Sequence, residues 1–370
     1  MATSRSALWA LFTFLALASD ASALRFLSFF PKYEYQLNET IHNNCSFEYT
    51  AFVEGDYNFS AIPPGSNIWF SNSSHDSYSL LINCILGAMP EVYKSNMASA
   101  QVLLGLTPSI LASVGPSVFE TAPLIASGRR PLLALFLIIG SPAVVIDPSL
   151  SFRQQLEDLR DPYKWTPPTS FKRAGIFILL VEFLVALAST ANIGHLSYQI
   201  ATKSMFSFDT KDTYFQTLWI AINVASHLLS AIVYRSAVYV RRKDDNPQIK
   251  LWWLNLRWLR TQFSLGNEKE SVHVQLRPSS FPNSLFSWFT TILSACNLIF
   301  GSLIFSSLLF ISVGDAVVIA LRYFASAVFC RILVKYELSI FREDIKSKSE
   351  TSGAFHETAS PLEDLHDVHK

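Results

Sequence analysis

Glu182, His227 and Arg322 can carry charge and sit well inside stretches apolar enough to lie in a membrane. A charge at the bilayer centre costs at least about 2.5–3.5 kcal/mol unless it is paired, so each of them needs a partner or a task. Glu182 and His227 can exchange protons and Arg322 is a fixed cation. Together they have the chemistry of a proton or solute path, with arginine as counter-charge or anion contact. By helical rise Glu182 lies about 12 Å into its segment from the cytosolic end and Arg322 about 9 Å in from the outer end, which would let the three meet near the midplane. Asn223 and Asn297 widen the set. Gln216, Asn223, His227, Ser230 and Tyr234 repeat at helical spacing, as do Thr290, Ser294, Asn297 and Gly301. Such stripes face protein or water rather than lipid. The plainer reading uses the same residues structurally: Glu182 pairs with Arg322 between helices, and the Asn and Ser side chains are packing contacts. The absence of an inverted repeat or of paired broken helices favours it.

Long apolar helices must position these residues. Half of the 370 residues are hydrophobic, 29 are phenylalanine and only 16% are charged, beyond the balance of a soluble domain of this size. The apolar residues come in runs. Ala174 to Ser197, Tyr214 to Val240, Leu285 to Ile311 and Ala316 to Val334 can each cross a hydrocarbon core of about 30 Å. Short loops join them into two hairpins, 174–240 and 285–335. Basic residues flank the hairpins: Arg153, Arg160, Lys164, Lys172 and Arg173 in a loop over 148–173, then eight Lys or Arg from Arg241 to Arg277 in a loop over 241–284. The positive-inside rule places both loops in the cytosol, with the tail over 336–370. Formal net charge is zero, so charge offers no argument for a nucleic-acid partner.

The N-terminal part has the marks of the opposite face. Residues 1–23 combine Arg5, an apolar core and Ala21-Ser22-Ala23, the pattern of a cleaved secretory signal; the alternative is an uncleaved anchor. Residues 24–96 carry four Asn-x-Ser/Thr sequons, at Asn38, Asn44, Asn58 and Asn72, so the segment reads as a glycosylated lumenal or extracellular domain. Cys45 and Cys84 form its one plausible disulfide. Alternating patches such as Phe47-Glu48-Tyr49 and Tyr57-Asn58-Phe59 suggest a few strands. The other two cysteines, Cys296 and Cys330, lie in apolar runs and read as free thiols.

Between these faces, residues 97–147 must cross the membrane a net odd number of times. Two apolar candidates are present, Met97 to Gly115 and Pro131 to Ile146, separated by Glu120 and Gly128-Arg129-Arg130. Two full crossings would put every basic loop on the wrong side. Met97 to Gly115 is the better crossing helix. Pro131 to Ile146, interrupted by Gly140-Ser141-Pro142, suits a re-entrant or interfacial segment shielded by protein. The fold class expected is therefore an all-α transmembrane helix bundle of about five crossings plus that segment, with a small N-terminal domain.

Asn83-Cys84-Ile85-Leu86, Pro90-Glu91, Asn96 to Ala100, Leu103 to Pro108, Arg130 to Leu135 and Gly140-Ser141-Pro142 together resemble a block found in a group of multi-spanning membrane proteins of filamentous fungi. The likeness extends more loosely to Tyr336-Glu337-Leu338-Ser339. It implies a source and an architecture, and no chemistry.

Within the second basic loop, Ile249 to Phe263 reads as an amphipathic helix. Lys250, Arg257 and Arg260 supply charge and Trp252, Trp253 and Trp258 supply interfacial rings, so the expected partner is anionic lipid of the inner leaflet. The alternative is a helix packed on the ends of the bundle. The tail after Phe341 is polar and reads as disordered. No HExxH, GxSxG, P-loop or GxGxxG occurs, so no enzyme, cofactor or metal is expected. The whole reads as a multi-pass membrane glycoprotein of the plasma membrane or an endomembrane, with an anchoring or interaction role; transport through a polar bundle centre is the alternative.

Overall fold

The computed structural model describes residues 26–54, 77–127, 130–142, 175–208, 214–242, 272–276 and 281–357. In chain order the elements are α1 Glu34–Asn44, α2 Ser46–Glu54, α3 Ser77–Ala88, α4 Glu91–Val114, α5 Val118–Ser127, α6 Pro131–Ile139, α7 Gly175–Lys203, β1 Met205–Phe206, α8 Phe215–Ala237, β2 Val238–Arg242, β3 Val272–Leu276, α9 Phe281–Ser306, β4 Leu308–Leu309 and α10 Val313–Glu357. Five of them, α4, α7, α8, α9 and α10 as far as Ile340, are long and apolar enough to cross a membrane. This is a multi-pass membrane protein of nearly all-helical build. At 1.5 Å per residue the nine residues of α6 reach only about 13 Å, less than half of a hydrocarbon core.

The chain forms two compact units. One comprises Met1–Ile110, Gly194–Ala221 and Leu298–Phe324; the other comprises Leu111–Ile193, Ile222–Asn297 and Ala325–Lys370.

In the first unit the Cys45–Cys84 disulfide closes the N-terminal helices, with Cα atoms 5.9 Å apart. Those helices do not build a core of their own. Phe29, Tyr33, Leu37, Ile41, Leu81 and Ile85 share one apolar cluster with Met97 of α4, Met205 of β1 and Phe310 after β4. Burial of a side chain of this size contributes roughly 1.5–3 kcal/mol, which explains how so short a segment stays folded. The turns after α7 and α9 are stitched together by β1 and β4, antiparallel with Met205 opposite Leu309 and Phe206 opposite Leu308. Ser207 N–H donates to Ser307 O, and Gln101 Nε2 donates to Leu308 O at 3.0 Å, which ties α4 to the same ribbon. Below it, Trp219, Phe305 and Tyr323 meet edge to face, with centroids 5.2 to 6.3 Å apart. Gly301 is required there, since a Cβ would lie 2.4 Å from Trp219 Nε1.

The second unit has a smaller apolar cluster, Leu133 and Leu137 of α6 against Ala186 of α7 and Cys330 and Val334 of α10. A two-strand antiparallel ribbon, β2 with β3, joins the two ends of the second basic loop.

Several expectations need correction. Phe47-Glu48-Tyr49 lies within helix α2, because three alternating residues cannot set a strand when the disulfide holds the segment against α3. The third crossing helix stops at Ala237 instead of Val240: Val238-Tyr239-Val240 is a β-branched and aromatic run that finds Val272–Leu276 as a partner. Helix α10 runs on to Glu357 through the stretch expected to be disordered, where no Gly or Pro interrupts the sequence before Gly353. Asn58, Asn72, residues 1–23, the loop over 148–173 and the stretch Ile249 to Phe263, with Lys250, Trp252, Trp253, Arg257, Trp258 and Arg260, lie outside the described residues.

Candidate functional site: a polar interior in the second unit

The second unit gathers most of the polar residues singled out above around the short helices α5 and α6. Helix α5 begins with a capping box: Glu120 N–H donates to Ser117 Oγ and Ser117 N–H donates to Glu120 Oε2, at 3.2 and 2.9 Å. Ser-x-x-Glu ahead of an apolar run is the sequence signal for this start. Arg331 of α10 donates to the Ser113 and Val114 carbonyls at the end of α4 and lies 3.8 Å from Glu120. It caps the end of that helix.

Helix α6 stops at Gly140 because there is no room for a side chain: a Cβ would lie 2.7 Å from Cys330 Sγ and 3.0 Å from Ser189 Cβ. A helix ending in the interior leaves carbonyls without partners. Here Gly140 and Ser141 N–H fold back to Phe136 O and Ile138 O, and Asn223 Nδ2 adds a donor to Ile138 O at 3.2 Å and one to Ser141 O, just past the helix, at 3.1 Å. Thr190 Oγ1 donates to Phe136 O at 2.8 Å, and Ser230 Oγ donates to Val118 O at 3.2 Å. The polar stripe on α8 therefore holds the short helices in place.

His227, one turn beyond Asn223, is wholly buried, and its Nδ1 lies 2.6 Å from Thr121 Oγ1. Thr121 Oγ1 also reaches Val118 O at 3.2 Å and Ser117 O at 3.4 Å, so either ring tautomer of His227 satisfies the short contact. Among the described residues the other ring nitrogen, His227 Nε2, has no hydrogen-bond partner, nor do Asn223 Oδ1, Ser141 Oγ and Ser294 Oγ. Asn297 is equally buried on α9.

The charged residues do not meet as expected. Glu182 bonds to Arg130, Nη1 to Oε2 at 2.7 Å, and the same nitrogen also bonds Glu337. Arg322 belongs to the first unit, where its guanidinium donates to Gln199 Oε1 at 3.0 Å and reaches His195 Nδ1 at 3.1 Å. An arginine that could be read as a topology signal thus neutralises the interior carboxylate, while Arg322 stays with its neighbours on α7. Arg130 and Glu337 escape a reading by membrane depth because both sit at the margins of apolar runs. Their one sequence signal is their place in the motifs Arg130 to Leu135 and Tyr336 to Ser339 quoted above.

Elsewhere, an open cleft in the first unit is lined by Leu86, Met97, Leu309, Lys94 and Gln101. Lys94 is paired with Glu91 at 2.8 Å and Gln101 is committed to Leu308 O, so no free polar groups converge on it. No family model, no curated protein and no solved structure matches the chain.

Proposed function

We propose that the chain is a non-enzymatic membrane glycoprotein that presents a disulfide-tied lumenal or extracellular cap to a partner, at the plasma membrane or an internal membrane. The observation that supports this reading is the shared core of α1 and α3 with Met97, Met205 and Phe310, which makes the cap a fixed surface instead of a tethered appendage. The second unit is consistent with it, since Asn223, Ser230 and Thr190 are spent on holding the short helices. Of the sequons within the described residues, Asn44 is exposed and Asn38 half-buried. The resemblance to fungal multi-spanning proteins suggests the source, and the tryptophan-rich basic stretch suggests anionic inner-leaflet lipid as a further partner. The test uses cells in which loss of the chain has a phenotype. Tyr35→Ala with Phe47→Ala on the exposed cap should fail to rescue and Glu182→Gln should rescue fully; the opposite pattern rejects the reading.

A second reading, transport through the polar interior, is favoured by the buried polar atoms His227 Nε2 and Asn223 Oδ1 beside a broken helix, which ask for a guest that hydrogen-bonds with them. The α6 segment is then a re-entrant element lining the path. His227→Ala must alter a pH-dependent flux in reconstituted vesicles; absence of flux removes this reading.

A further inference from the structure

Arg130, Glu182 and Glu337 come from three different elements: the residue before α6, the first third of α7, and α10 near the end of its apolar part. Their side chains are only 15, 3 and 14% exposed. One guanidinium nitrogen, Nη1, bonds a carboxylate on each side. With both carboxylates ionised the group sums to one negative charge in a buried place, and among the described residues no second cation bonds either of them. Sharing that nitrogen brings the two carboxylates together, and two ionised carboxylates side by side in a buried place repel each other. An ionised carboxylate only accepts, so a hydrogen bond between two of them requires a proton.

We propose that Glu182 and Glu337 hold one proton between them, so that the group with Arg130 is a neutral proton-binding site where the short helix, α7 and α10 join. The proton is covalent to one carboxyl oxygen and is donated to the other carboxylate, and Arg130 balances the remaining charge. The titratable neighbour is the Tyr336 phenol, also on α10. The elements otherwise meet through Leu133, Leu137, Ala186, Val334 and the Cys330 thiol, and among the described residues no other charged side chain bonds to the group. Losing the proton would leave a net negative charge against these apolar side chains, so proton occupancy and the seating of α6 are coupled. The inference holds whether or not the chain moves a solute.

Infrared spectroscopy of the full chain in lipid nanodiscs, with glutamate labelled in its side-chain carboxyl, reads the proton directly. At neutral pH the wild type should show the carbonyl stretch of a protonated glutamic acid. The band should disappear in Glu182→Gln and again in Glu337→Gln, because either change leaves a single carboxylate matched one to one by Arg130. A wild-type spectrum without the band, or a band that survives in either variant, overturns the proposal. If one variant fails to fold, the other and the wild-type spectrum decide.

Discussion

Arg130 is one cation against two acids, and this makes it the residue whose removal should be felt most. Arg130→Met leaves two carboxylates without their counter-charge, and breaking a buried pair in this way costs about 3–5 kcal/mol. The expected result is a large loss of thermal stability in detergent-purified protein, with most of it regained in a Glu182→Gln, Glu337→Gln double background. Gly301 allows a second test at the same scale. Gly301→Ala drives a methyl into the Trp219 indole, and overpacking of this kind costs roughly 1–3 kcal/mol; intrinsic tryptophan fluorescence should report the displaced ring. Tyr33 gives a pH test. Its phenol donates to Asn96 Oδ1 at 2.6 Å, and burial pushes its pKa up from the ordinary value. The fold favours the neutral phenol, so its contribution is complete below the unfolded value of about 10 and is lost as pH rises through the higher folded value. Melting curves at about pH 9 and pH 11 should diverge more for the wild type than for Tyr33→Phe.

At the scale of elements, the disulfide and the β1–β4 ribbon share one task. The Cys45–Cys84 bridge closes a separation of 39 residues, and removing such a link typically costs about 2–4 kcal/mol. Because α1 and α3 share their core with Met205 and Phe310, the Cys45→Ser, Cys84→Ser pair should loosen the turns after α7 and α9 as well as the cap. Hydrogen exchange should accordingly rise at Ser207, whose N–H bonds to Ser307 O, and not only in α1 and α3. The short helices behave differently: α5 and α6 are held by side chains of the spanning helices, and Asn223 occupies the carbonyls at the break. Such a segment has no stability apart from its neighbours, which is why apolar run length alone describes it poorly.

At the scale of the molecule, five apolar helices, together with the proposed lumenal or extracellular placement of the N-terminal part and an α6 that does not cross, would fix the side on which each loop falls. Engineered sequons test this. A site near residue 210 should be glycosylated and sites near 155 and 260 should not; a glycan near 155 would mean two complete crossings before it. The odd crossing number expected is a property of the whole chain, because it depends on the basic residues of both loops read as cytosolic, taken together.

Membrane class, the crossing helices and the Cys45–Cys84 pairing were legible because they depend on quantities additive along the chain: apolar length, helical period and the sparse use of cysteine. The burial of Gln216, Asn223, His227, Ser230 and Tyr234 on one face was legible for the same reason. Partner choice was not. Whether Glu182 finds Arg322 or Arg130 depends on which side chains from distant parts of the chain reach the same point, and helical rise alone reports depth, not azimuth. The β1–β4 ribbon was likewise hidden, since two-residue strands carry no period of their own and exist only because two turns are brought together. What only the tertiary structure decided was therefore the polar interior: one arginine shared by two acids, and an asparagine closing the end of a helix that stops inside the protein.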